Sequence, residues 1–445
     1  MKEKLFVGID VGGTKISAAL VTEYGKILTR EKVETPPQGP AILAQLKRSI
    51  EFVLQIANKD KLELSGIGIG VPGVVKPDHQ TILITPNIRL TRYPLAKNLM
   101  NYFKVPVVLG NDVNLGLMGE RWLGAGKSVG NLIGIFPGTG VGGAIMINGQ
   151  LYTGTNGAAA ELGHMIMDIH SPLENAGVFG SLEVLASRRA IERRIREKIR
   201  EGKKSIIEEI SDDTKQIKSG VLHKALLQRD RVVVEVFNDV CEVIGKACIS
   251  LRHILNPEMI ILGGGVIEAC GQYMLPRIRK ISAADPFFQG IDDCQIVSSL
   301  LGDDAIIYGA VALVKQSLGI PLYISEKLYP RISDQNGGGI SIGDKIYRNN
   351  VYVRADGKVK DLKEKADFAI LNREYKIGPE QLLKLCKKDP DILVVADATG
   401  RLKLTKPAAD FLKAGSIEYK ILPRQEAIQY YNRLNRRKSI LICQK

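Results

Sequence analysis

The chain begins with short apolar runs that alternate with polar, glycine-rich turns. Leu5–Asp10 and Ile16–Val21 are apolar and flank the turn Val11-Gly12-Gly13-Thr14-Lys15, and a third run continues to Glu34. Apolar runs of this length that are bounded by glycine and polar residues are typical of strands. The pattern therefore predicts a hairpin and a third strand, with Asp10 at the end of the first strand.

After residue 40 the apolar spacing changes between the helical and the strand period. Helical spacing occurs in Ala41–Ala57, Leu95–Phe103, Asn114–Trp122, Val232–Leu255 and Asp303–Leu318. Short apolar runs occur in Gly66–Val71, Val105–Leu109, Asn131–Phe136, Ala144–Ile147 and Met259–Leu262. Strands that alternate with helices in this way predict an α/β protein.

A second glycine-rich turn, Gly138-Thr139-Gly140-Val141-Gly142-Gly143, separates two of these apolar runs. Its glycine spacing also fits a dinucleotide-binding turn, but that motif requires a helix after the turn. Here the following run is short and ends at Asn148-Gly149, which predicts strand, turn, strand. Such a turn can bring backbone N–H groups close to phosphate. A tight hairpin without a ligand is the alternative.

Carboxylates stand at the ends of two predicted strands. Asp10 is suited to ordering a hydrated Mg²⁺, while Lys15 and the N–H groups of its turn face phosphate. Asn111 and Asp112 follow the strand 105–109, at the strand end where α/β folds place their chemistry. The structural alternatives are a charged hairpin turn for Asp10 and a helix cap for Asp112.

Glu161 and His164 follow the second turn and could hold a polar substrate. A phosphate-binding turn and hydroxyl-binding side chains on one segment suggest a kinase. Phosphoryl transfer to an alcohol needs a carboxylate to accept the hydroxyl proton, and Asp112 can serve as this base.

Composition places the chain among ordinary globular proteins. It has 445 residues, 45% hydrophobic and 25% charged, which suggests two to three domains. The start Met1-Lys2-Glu3-Lys4 has no signal pattern, and no apolar run approaches membrane-spanning length, so we expect a cytoplasmic protein without membrane contact. The six cysteines form no CxxC pair, which favours buried thiols over disulfides or a metal site.

The formal charge of +14 lies mostly after residue 330. A solvated basic face explains it, and nucleic-acid binding is the alternative. No motif that combines aromatic and basic residues accompanies the charge, which favours the solvated face.

Six motifs together resemble the ROK family of sugar kinases and repressors, in family order and spacing from about residue 4 to 318. They are Asp10-Val-Gly-Gly-Thr-Lys15, Gly70-Val-Pro-Gly73, Asn111-Asp112, Gly138-Thr-Gly-Val-Gly-Gly143, Glu161-Leu-Gly-His164 and Asn256-Pro-Glu-Met-Ile-Ile-Leu-Gly-Gly-Gly-Val266. The resemblance implies the ribonuclease-H-like fold of actin and hexokinase, in which two α/β lobes flank a cleft for ATP and a hexose. The first lobe would be 1–120 with a returning helix at 303–318, and the second 121–302.

The resemblance also implies roles for individual residues. Asp112 would be the base and Asp10 would hold Mg²⁺ through water. Sugar contacts would come from Gly73, Asn87, Asn111, Asp112, Glu161, His164 and Glu183. Nucleotide contacts would come from Asp10, Gly12, Gly13, Thr14, Lys15, Gly138, Thr139, Gly140, Gly142, Gly143, Gly263, Gly264 and Gly265.

The implied reaction is ATP-dependent phosphorylation of a hexose, with glucose as the first candidate. A kinase for an N-acetylated amino sugar and a catalytically weak sugar-binding regulator are the alternatives. Repressors of the family place a helix-turn-helix ahead of the first strand, and the position of Asp10 leaves no room for one. We therefore expect no DNA-binding domain, and a homo-oligomer such as the dimers common among relatives.

The chain departs from the family pattern just after His164. Many relatives carry a CxCGxxGCxE segment whose three thiolates bind zinc with this histidine. Here the same frame reads Glu174-Asn-Ala-Gly-Val-Phe-Gly-Ser-Leu-Glu183, with no cysteine. Because tetrahedral zinc sites rely on thiolate and imidazole ligands, we predict a loop without zinc.

A polar link at 319–339 precedes a third predicted domain at 340–445. Strands are predicted at Ile340–Val353, Ile392–Ala396 and Ile417–Leu422, and helices at Pro379–Lys387, Lys406–Ala414 and Arg424–Asn435. Asp391–Leu404 and Ile421–Asn432 resemble the adipogenesis-associated Mth-type domain, which has no settled activity. We expect a partner-binding or regulatory appendage rather than a catalytic domain.

Overall fold

The computed structural model describes residues 4–59, 63–86, 88–127, 129–175, 177–210, 216–290, 294–322, 329–335, 339–355, 357–361, 370–371, 374–386, 390–397, 402–415, 417–434 and 438–443. The chain divides into two compact units, Met1–Leu322 and Tyr323–Lys445. Among the helices of these ranges, none combines the length and apolar character that crossing a membrane requires.

The first half of the first unit is a five-stranded sheet with helices against it. Its elements are β1 (Lys4–Val11), β2 (Lys15–Thr22), β3 (Ile27–Glu34), α1 (Gly39–Lys59), β4 (Glu63–Val71), β5 (Val74–Val75), β6 (Ile82–Ile84), α2 (Leu95–Phe103), β7 (Val107–Asn111) and α3 (Asp112–Leu123). The strand order is β3-β2-β1-β4-β7. The first three strands are antiparallel, whereas β1, β4 and β7 run parallel.

This register places two of the predicted site residues at the same edge of the sheet. Asp10 lies opposite Gly70 of β4, and Asn111 lies opposite Val71, the next residue of the same strand. The carboxyl ends of parallel strands share one edge, which is where α/β sheets bind ligands. The predicted hairpin of this region and the strands that follow it are confirmed.

The second half of the first unit repeats the same sheet. Its elements are β8 (Leu132–Pro137), β9 (Val141–Ile147), β10 (Gln150–Leu151), β11 (Glu174–Asn175), β12 (Val178–Phe179), α4 (Leu182–Ala186), α5 (Arg188–Arg200), α6 (Ile207–Ile210), α7 (Ser219–Leu227), α8 (Arg231–Leu255), β13 (Met259–Leu262), α9 (Gly265–Ala283), β14 (Gln295–Ser298) and α10 (Ala305–Ser317), with 3-10 turns at Leu162–His164, Pro286–Phe288 and Gly302–Asp304. The order β10-β9-β8-β13-β14 again joins an antiparallel trio to parallel strands. The glycine segment is therefore a strand, turn, strand as predicted.

Each half has its own apolar core. In the first, Ile42, Leu46 and Ile50 of α1 are fully buried with the apolar residues of β1, β2 and β4. In the second, α8 and α9 pack against β8 and β13, with Phe237, Cys241 and Cys248 fully buried. The predicted buried thiols are confirmed for these two cysteines.

Helix α10 returns to the first half and lies almost backbone to backbone against α3. A Cβ atom on Gly309 would lie 1.8 Å from the backbone oxygen of Leu115, and one on Gly119 would lie 2.0 Å from that of Ala305. Only glycine allows helices to approach this closely, so these residues fix α10 beside the helix that begins at Asp112.

The second unit is a separate α/β fold. Its elements are β15 (Ile332–Gln335), β16 (Gly339–Ile342), β17 (Lys345–Tyr347), β18 (Val351–Val353), β19 (Val359–Asp361), β20 (Ile370–Leu371), β21 (Glu374–Ile377), α11 (Pro379–Leu385), β22 (Ile392–Asp397), β23 (Lys403–Leu404), α12 (Lys406–Ala414), β24 (Glu418–Pro423), α13 (Arg424–Arg433) and β25 (Lys438–Ile442). The main sheet has the order β19-β18-β25-β22-β24.

Three features of this unit differ from the sequence pattern. The run 340–353 forms β16, β17 and β18 rather than one strand, because turns at 343–344 and 348–350 interrupt it. Strand β15 lies inside the predicted link, and its Ile332 is buried in the core of the unit. Strand β25, which the sequence analysis left unassigned, lies between β18 and β22 and is buried along its whole length.

Candidate functional site

The turns after β1 and after β8 occupy equivalent places in the two repeated sheets. The N–H group of Gly12 donates to the oxygen of Lys15 at 2.9 Å, and that of Gly138 to the oxygen of Gly140 at 2.8 Å. Within the described residues, no acceptor is recorded for the next two N–H groups of either turn, those of Gly13, Thr14, Thr139 and Gly140. Each turn therefore presents two backbone donors that an anion could accept.

The Glu183 carboxylate stabilises the second turn through a hydrogen bond with its backbone. Its Oε2 accepts the N–H of Val141 at 2.7 Å, and its Oε1 accepts the side-chain amide of Asn175. A Cβ atom on Gly140 would lie 2.2 Å from Oε2, so the carboxylate needs glycine at that position. Glu183 therefore ties the turn to the hairpin of β11 and β12.

Asn111 and Asp112 form the junction between β7 and α3. Asn111 is the N-cap of α3, because its Oδ1 accepts the N–H of Asn114 at 2.9 Å, and its amide also donates to the oxygen of Gly73 at 2.9 Å. The capping role considered for Asp112 therefore belongs to Asn111. Asp112 instead accepts at Oδ1 from the N–H of Val113 at 2.9 Å and from Asn111 at 3.1 Å.

Asp112 interacts electrostatically with both Asp10 and Glu161. Burial raises the pKa of Asp112 to about 6, and the charge of Glu161 adds to the rise while the Val113 N–H opposes it. Burial also raises the pKa of Asp10 to about 7, with further rises from Asp112 and Asp303 and a partial offset from Lys32. Carboxylates that shift one another in this way lie close enough to act on one substrate.

The residues around Asp10 fit a hard divalent cation. Its carboxyl group is half buried at the sheet edge and experiences the negative charges of Asp112 and Asp303. A cation would relieve that repulsion, and Mg²⁺ prefers carboxylate oxygens together with water and phosphate oxygens.

The segment with Glu161 and His164 packs directly on the second turn. A Cβ atom on Gly143 would lie 2.4 Å from the oxygen of Ala160, and one on Gly163 would lie 2.2 Å from the oxygen of Val141. Glu161 and His164 flank this contact, and both side chains are exposed. The structure therefore brings the predicted hydroxyl-binding residues next to the predicted phosphate-binding turn.

Backbone hydrogen bonds hold the segment that would carry zinc ligands in many relatives. The N–H of Met167 donates to Gly180 at 2.8 Å, and the N–H of Gly180 donates to Leu173 at 2.9 Å. Leu182 closes the loop by donating to Met165 at 2.8 Å. In the part of the chain that the structure describes, no group of three or more His, Cys, Asp or Glu side chains is placed to hold a metal.

Gly263, Gly264 and Gly265 lie at the N-terminus of α9, beside the second turn. Gly264 has a φ of +78°, and a Cβ atom there would lie 2.8 Å from the oxygen of Pro137. A Cβ atom on Gly263 would lie 2.7 Å from the ring of Phe136. Gly263 and Gly264 therefore pack against the end of β8, directly before the second turn.

Two predicted sugar contacts have different outcomes. Gly73 lies beside Asn111, and its φ of +105° requires glycine. Asn87 lies outside the described residues.

The sequence analysis missed two charged groups near the cleft. Glu120 is fully buried on α3 and accepts the N–H groups of Leu300, Leu301 and Ala125. Arg188 is largely buried against Thr139, although it begins a helix rich in charged residues. The spacing of apolar residues in the sequence shows which face of a helix is buried. It does not show which charged side chains on that face have hydrogen-bond partners.

Comparisons with known proteins agree with this geometry. Residues 6–317 match the model of the ROK family. The glucokinase of Thermotoga maritima is 31% identical over 322 residues, which cover 72% of this chain and 100% of that protein. A putative xylose repressor of Caldicellulosiruptor sp. is 30% identical over 324 residues, which cover 72% of this chain and 80% of the repressor.

Among solved structures, a ROK family glucokinase from Streptomyces griseus in complex with glucose and AMPPNP superposes with a TM-score of 0.60 at 31% identity. The match covers 70% of this chain and 99% of that structure. The first unit has the two-lobed α/β fold of such sugar kinases. The chain therefore belongs to the ROK family.

Proposed function

We propose that the protein transfers the γ-phosphoryl group of ATP to a hexose hydroxyl, with glucose as the first candidate substrate. The observation that carries this proposal is the position of the Asp112 carboxyl group. It directly follows the end of β7, at the sheet edge where Asp10 lies near the end of β1, and its pKa of about 6 suits a base. The similarity to glucokinases, one of them solved with glucose and AMPPNP, supports the same reaction.

The proposed mechanism uses the two turns to hold the phosphates. The free N–H groups of Gly13, Thr14, Thr139 and Gly140 would donate hydrogen bonds to phosphate oxygens, and Lys15 would add positive charge. Gly12, Gly138, Gly142 and Gly143 would allow the close approach, and Gly263, Gly264 and Gly265 would line the adenosine side. Asp10 would hold Mg²⁺ through water, and the cation would neutralise charge on the transferring group.

Sugar hydroxyls would be bound on the other side of the cleft. Asn111, Glu161 and His164 would contact them, and Asp112 would accept the proton of the attacking hydroxyl as the new bond forms. Glu183 would position the second turn through its hydrogen bond with the N–H of Val141. It would also contact a sugar hydroxyl. Buried hydrogen-bonding groups that require their partners provide selectivity between hexoses.

The test is ADP release in a coupled assay with Mg-ATP and glucose, N-acetylmannosamine, N-acetylglucosamine or fructose. We expect turnover with one of these sugars and loss of about 10²–10⁴ in kcat for Asp112→Asn, with sugar affinity largely kept. Equal turnover of wild type and Asp112→Asn would refute the base assignment.

The similarity to a xylose repressor favours a second candidate, a sugar-binding regulator with weak or no catalysis. Calorimetry in the same sugars separates the two functions. Sugar binding without ADP release from any sugar would favour the regulator.

For the second unit we propose a regulatory or partner-binding role, in line with its resemblance to the Mth-type domain. Its deletion should then change a substrate KM or the oligomeric state while the catalytic constant is kept, and a deletion that changes neither KM nor assembly would end this proposal.

A further inference from the structure

Arg188 is placed differently from the other charged residues of α5. It is the first residue of the helix, which Ser187 caps by accepting the N–H of Ala190 at 3.2 Å. Only 12% of its side chain is exposed, whereas the neighbouring Arg189 is exposed to solvent. Burying a guanidinium is costly unless its donors are satisfied, so its partners indicate its role.

The guanidinium of Arg188 lies between the second turn and the segment before α7. Nη2 donates to the hydroxyl oxygen of Thr139 at 3.4 Å, and Nη1 donates to the backbone oxygen of Ile217 at 3.5 Å. With the Gln216 amide oriented to accept, its oxygen lies 3.1 and 2.9 Å from Nη1 and Nη2. These contacts fix the plane of the guanidinium, as its fork of donors allows.

The positive charge of Arg188 is only partly neutralised. Glu192 lies 3.9 Å from it but approaches Arg196 more closely, at 3.0 Å. Arg188 therefore adds a positive charge on one side of the turn, whose other charged neighbour is the Glu183 carboxylate at the N–H of Val141. A phosphoryl donor would place negative charge beside this guanidinium.

The contact with Thr139 also assigns the acceptor role of its hydroxyl group. Because the hydroxyl oxygen accepts from Arg188, its own O–H is left to donate elsewhere. Thr139 is exposed, so a phosphate oxygen bound at the turn could accept this O–H.

The backbone of Arg188 acts on the same peptide. Its N–H donates to the oxygen of Gly138 at 2.9 Å. In a trans peptide the C=O and the following N–H point in opposite directions, so this bond turns the N–H of Thr139 away from α5. The side chain and the backbone of Arg188 therefore orient two donors of Thr139 together.

We propose that Arg188 is a positioning residue for the phosphoryl donor: it orients the hydroxyl and N–H of Thr139 and adds a fixed positive charge beside the donor's phosphates. This inference rests on the proposed kinase function and deepens its donor side.

The test compares Arg188→Ala and Arg188→Lys with Arg189→Ala, a matched control that removes the same charge one residue away. We expect Arg188→Ala to raise KM for ATP and the Kd for Mg-AMPPNP about 10- to 100-fold, as for a lost charge-assisted hydrogen bond. KM for the sugar should stay within about twofold, because the sugar side of the cleft is untouched. Arg188→Lys should recover part of the loss, and Arg189→Ala should behave as wild type.

A double-mutant cycle with Thr139→Val separates positioning from general damage. If Arg188 acts through Thr139, Arg188→Ala should have a smaller effect on nucleotide Kd in the Thr139→Val background. Three results would each overturn the inference. The first is an equal effect of Arg188→Ala on nucleotide Kd with and without Thr139→Val. The others are equal nucleotide Kd values for Arg188→Ala and Arg189→Ala, or a rise in sugar KM that parallels the rise in KM for ATP. If the wild-type protein binds no nucleotide, both this inference and the proposed function fail. If the wild-type protein turns over substrate and Arg188→Ala has the same nucleotide Kd and KM for ATP, only this inference fails.

Discussion

At the scale of single residues, the Asp112 carboxyl group combines a favourable position for catalysis with a cost to stability. Burial raises its pKa from 3.8 to about 6. The folded chain therefore binds more protons than the unfolded chain between these pH values, and stability decreases as the pH rises through that window. Above about pH 6 the ionised, buried carboxylate destabilises the fold. Residues placed for chemistry often carry such a cost.

We predict that Asp112→Asn is more stable than wild type at pH 7.5. Asparagine keeps an oxygen to accept the Val113 N–H but removes the buried charge. The gain should be a few degrees in Tm, on the scale of about 1 kcal/mol, and should disappear near pH 4. Thermal unfolding at the two pH values measures it. The raised pKa would be contradicted by a Tm difference between variant and wild type that is equal at the two pH values. A lower Tm for the variant at pH 7.5 would also contradict it.

At the scale of elements, α3 links the site to both halves of the first unit. It begins at Asp112, packs closely on α10 and carries the fully buried Glu120. Glu120 accepts the N–H groups of Leu300 and Leu301 at 2.9 and 2.8 Å, and that of Ala125 at 2.8 Å. One carboxylate thus satisfies three backbone donors in two loops.

We predict that Glu120→Ala destabilises the protein by about 3 kcal/mol or more, because it leaves three backbone donors without their acceptor. Glu120→Gln, which keeps one acceptor oxygen, should cost less. Glu242→Ala, whose side chain is 56% exposed in a helical ion pair, is the control and should change stability by less than about 0.5 kcal/mol. Urea unfolding gives the free energies. Similar losses of unfolding free energy for Glu120→Ala and Glu242→Ala would show that the three hydrogen bonds to Glu120 are unimportant for stability.

The loop 165–182 gives a second prediction at this scale. Because its backbone bonds already close it and no thiolate is present in the family's zinc frame, we expect the purified protein to contain no stoichiometric zinc. A chelator should leave Tm unchanged when Mg²⁺ is resupplied. Elemental analysis and thermal unfolding test this, and one zinc per chain would show that another ligand set exists.

At the scale of the whole molecule, the first unit is built from two sheets with the same strand order. Each sheet contributes one glycine turn, and in the first sheet Asp10 and Asn111 lie at the carboxyl ends of parallel strands. Both apolar cores and every described candidate residue lie within Met1–Leu322. The second unit has cores of its own.

We predict that a chain ending at Leu322 folds and keeps the catalytic constant of the full chain within about twofold, since each unit has its own core. Leu322 must be included, because its backbone oxygen accepts the indole N–H of Trp122 at 3.0 Å. Ending the chain at Ser317 is the matched control and should lower Tm. Calorimetry and the ADP-release assay test both. A chain ending at Leu322 that aggregates or is inactive would show that the first unit depends on the second.

Sequence reasoning was most successful where structure is set locally. The strand, turn, strand pattern around Gly12 and Gly138 follows from residue period and turn chemistry, and both hairpins are confirmed. The positions of Asp10 and Asn111 at strand ends follow from the same pattern.

The failures have a common physical cause. Strand β25 is buried because it lies between β18 and β22, which are remote in sequence. The residues around Ile332 in the sequence are polar, so the pattern does not show that β15 contributes to a core. Arg188 begins a helix rich in charged residues, yet its hydrogen-bond partners are Thr139, Gln216 and Ile217, which are all distant in sequence.

The sequence by itself determined the elements, the glycines that turns require and the carboxylates that end two strands, because each depends on residues close together in the chain. Only the tertiary structure decided that Asp112 interacts electrostatically with Asp10 and Glu161, that Asn111 rather than Asp112 caps α3, and that Glu120 and Arg188 are buried with partners. Those contacts join residues distant in sequence, and packing of the two sheets and their helices brings them together.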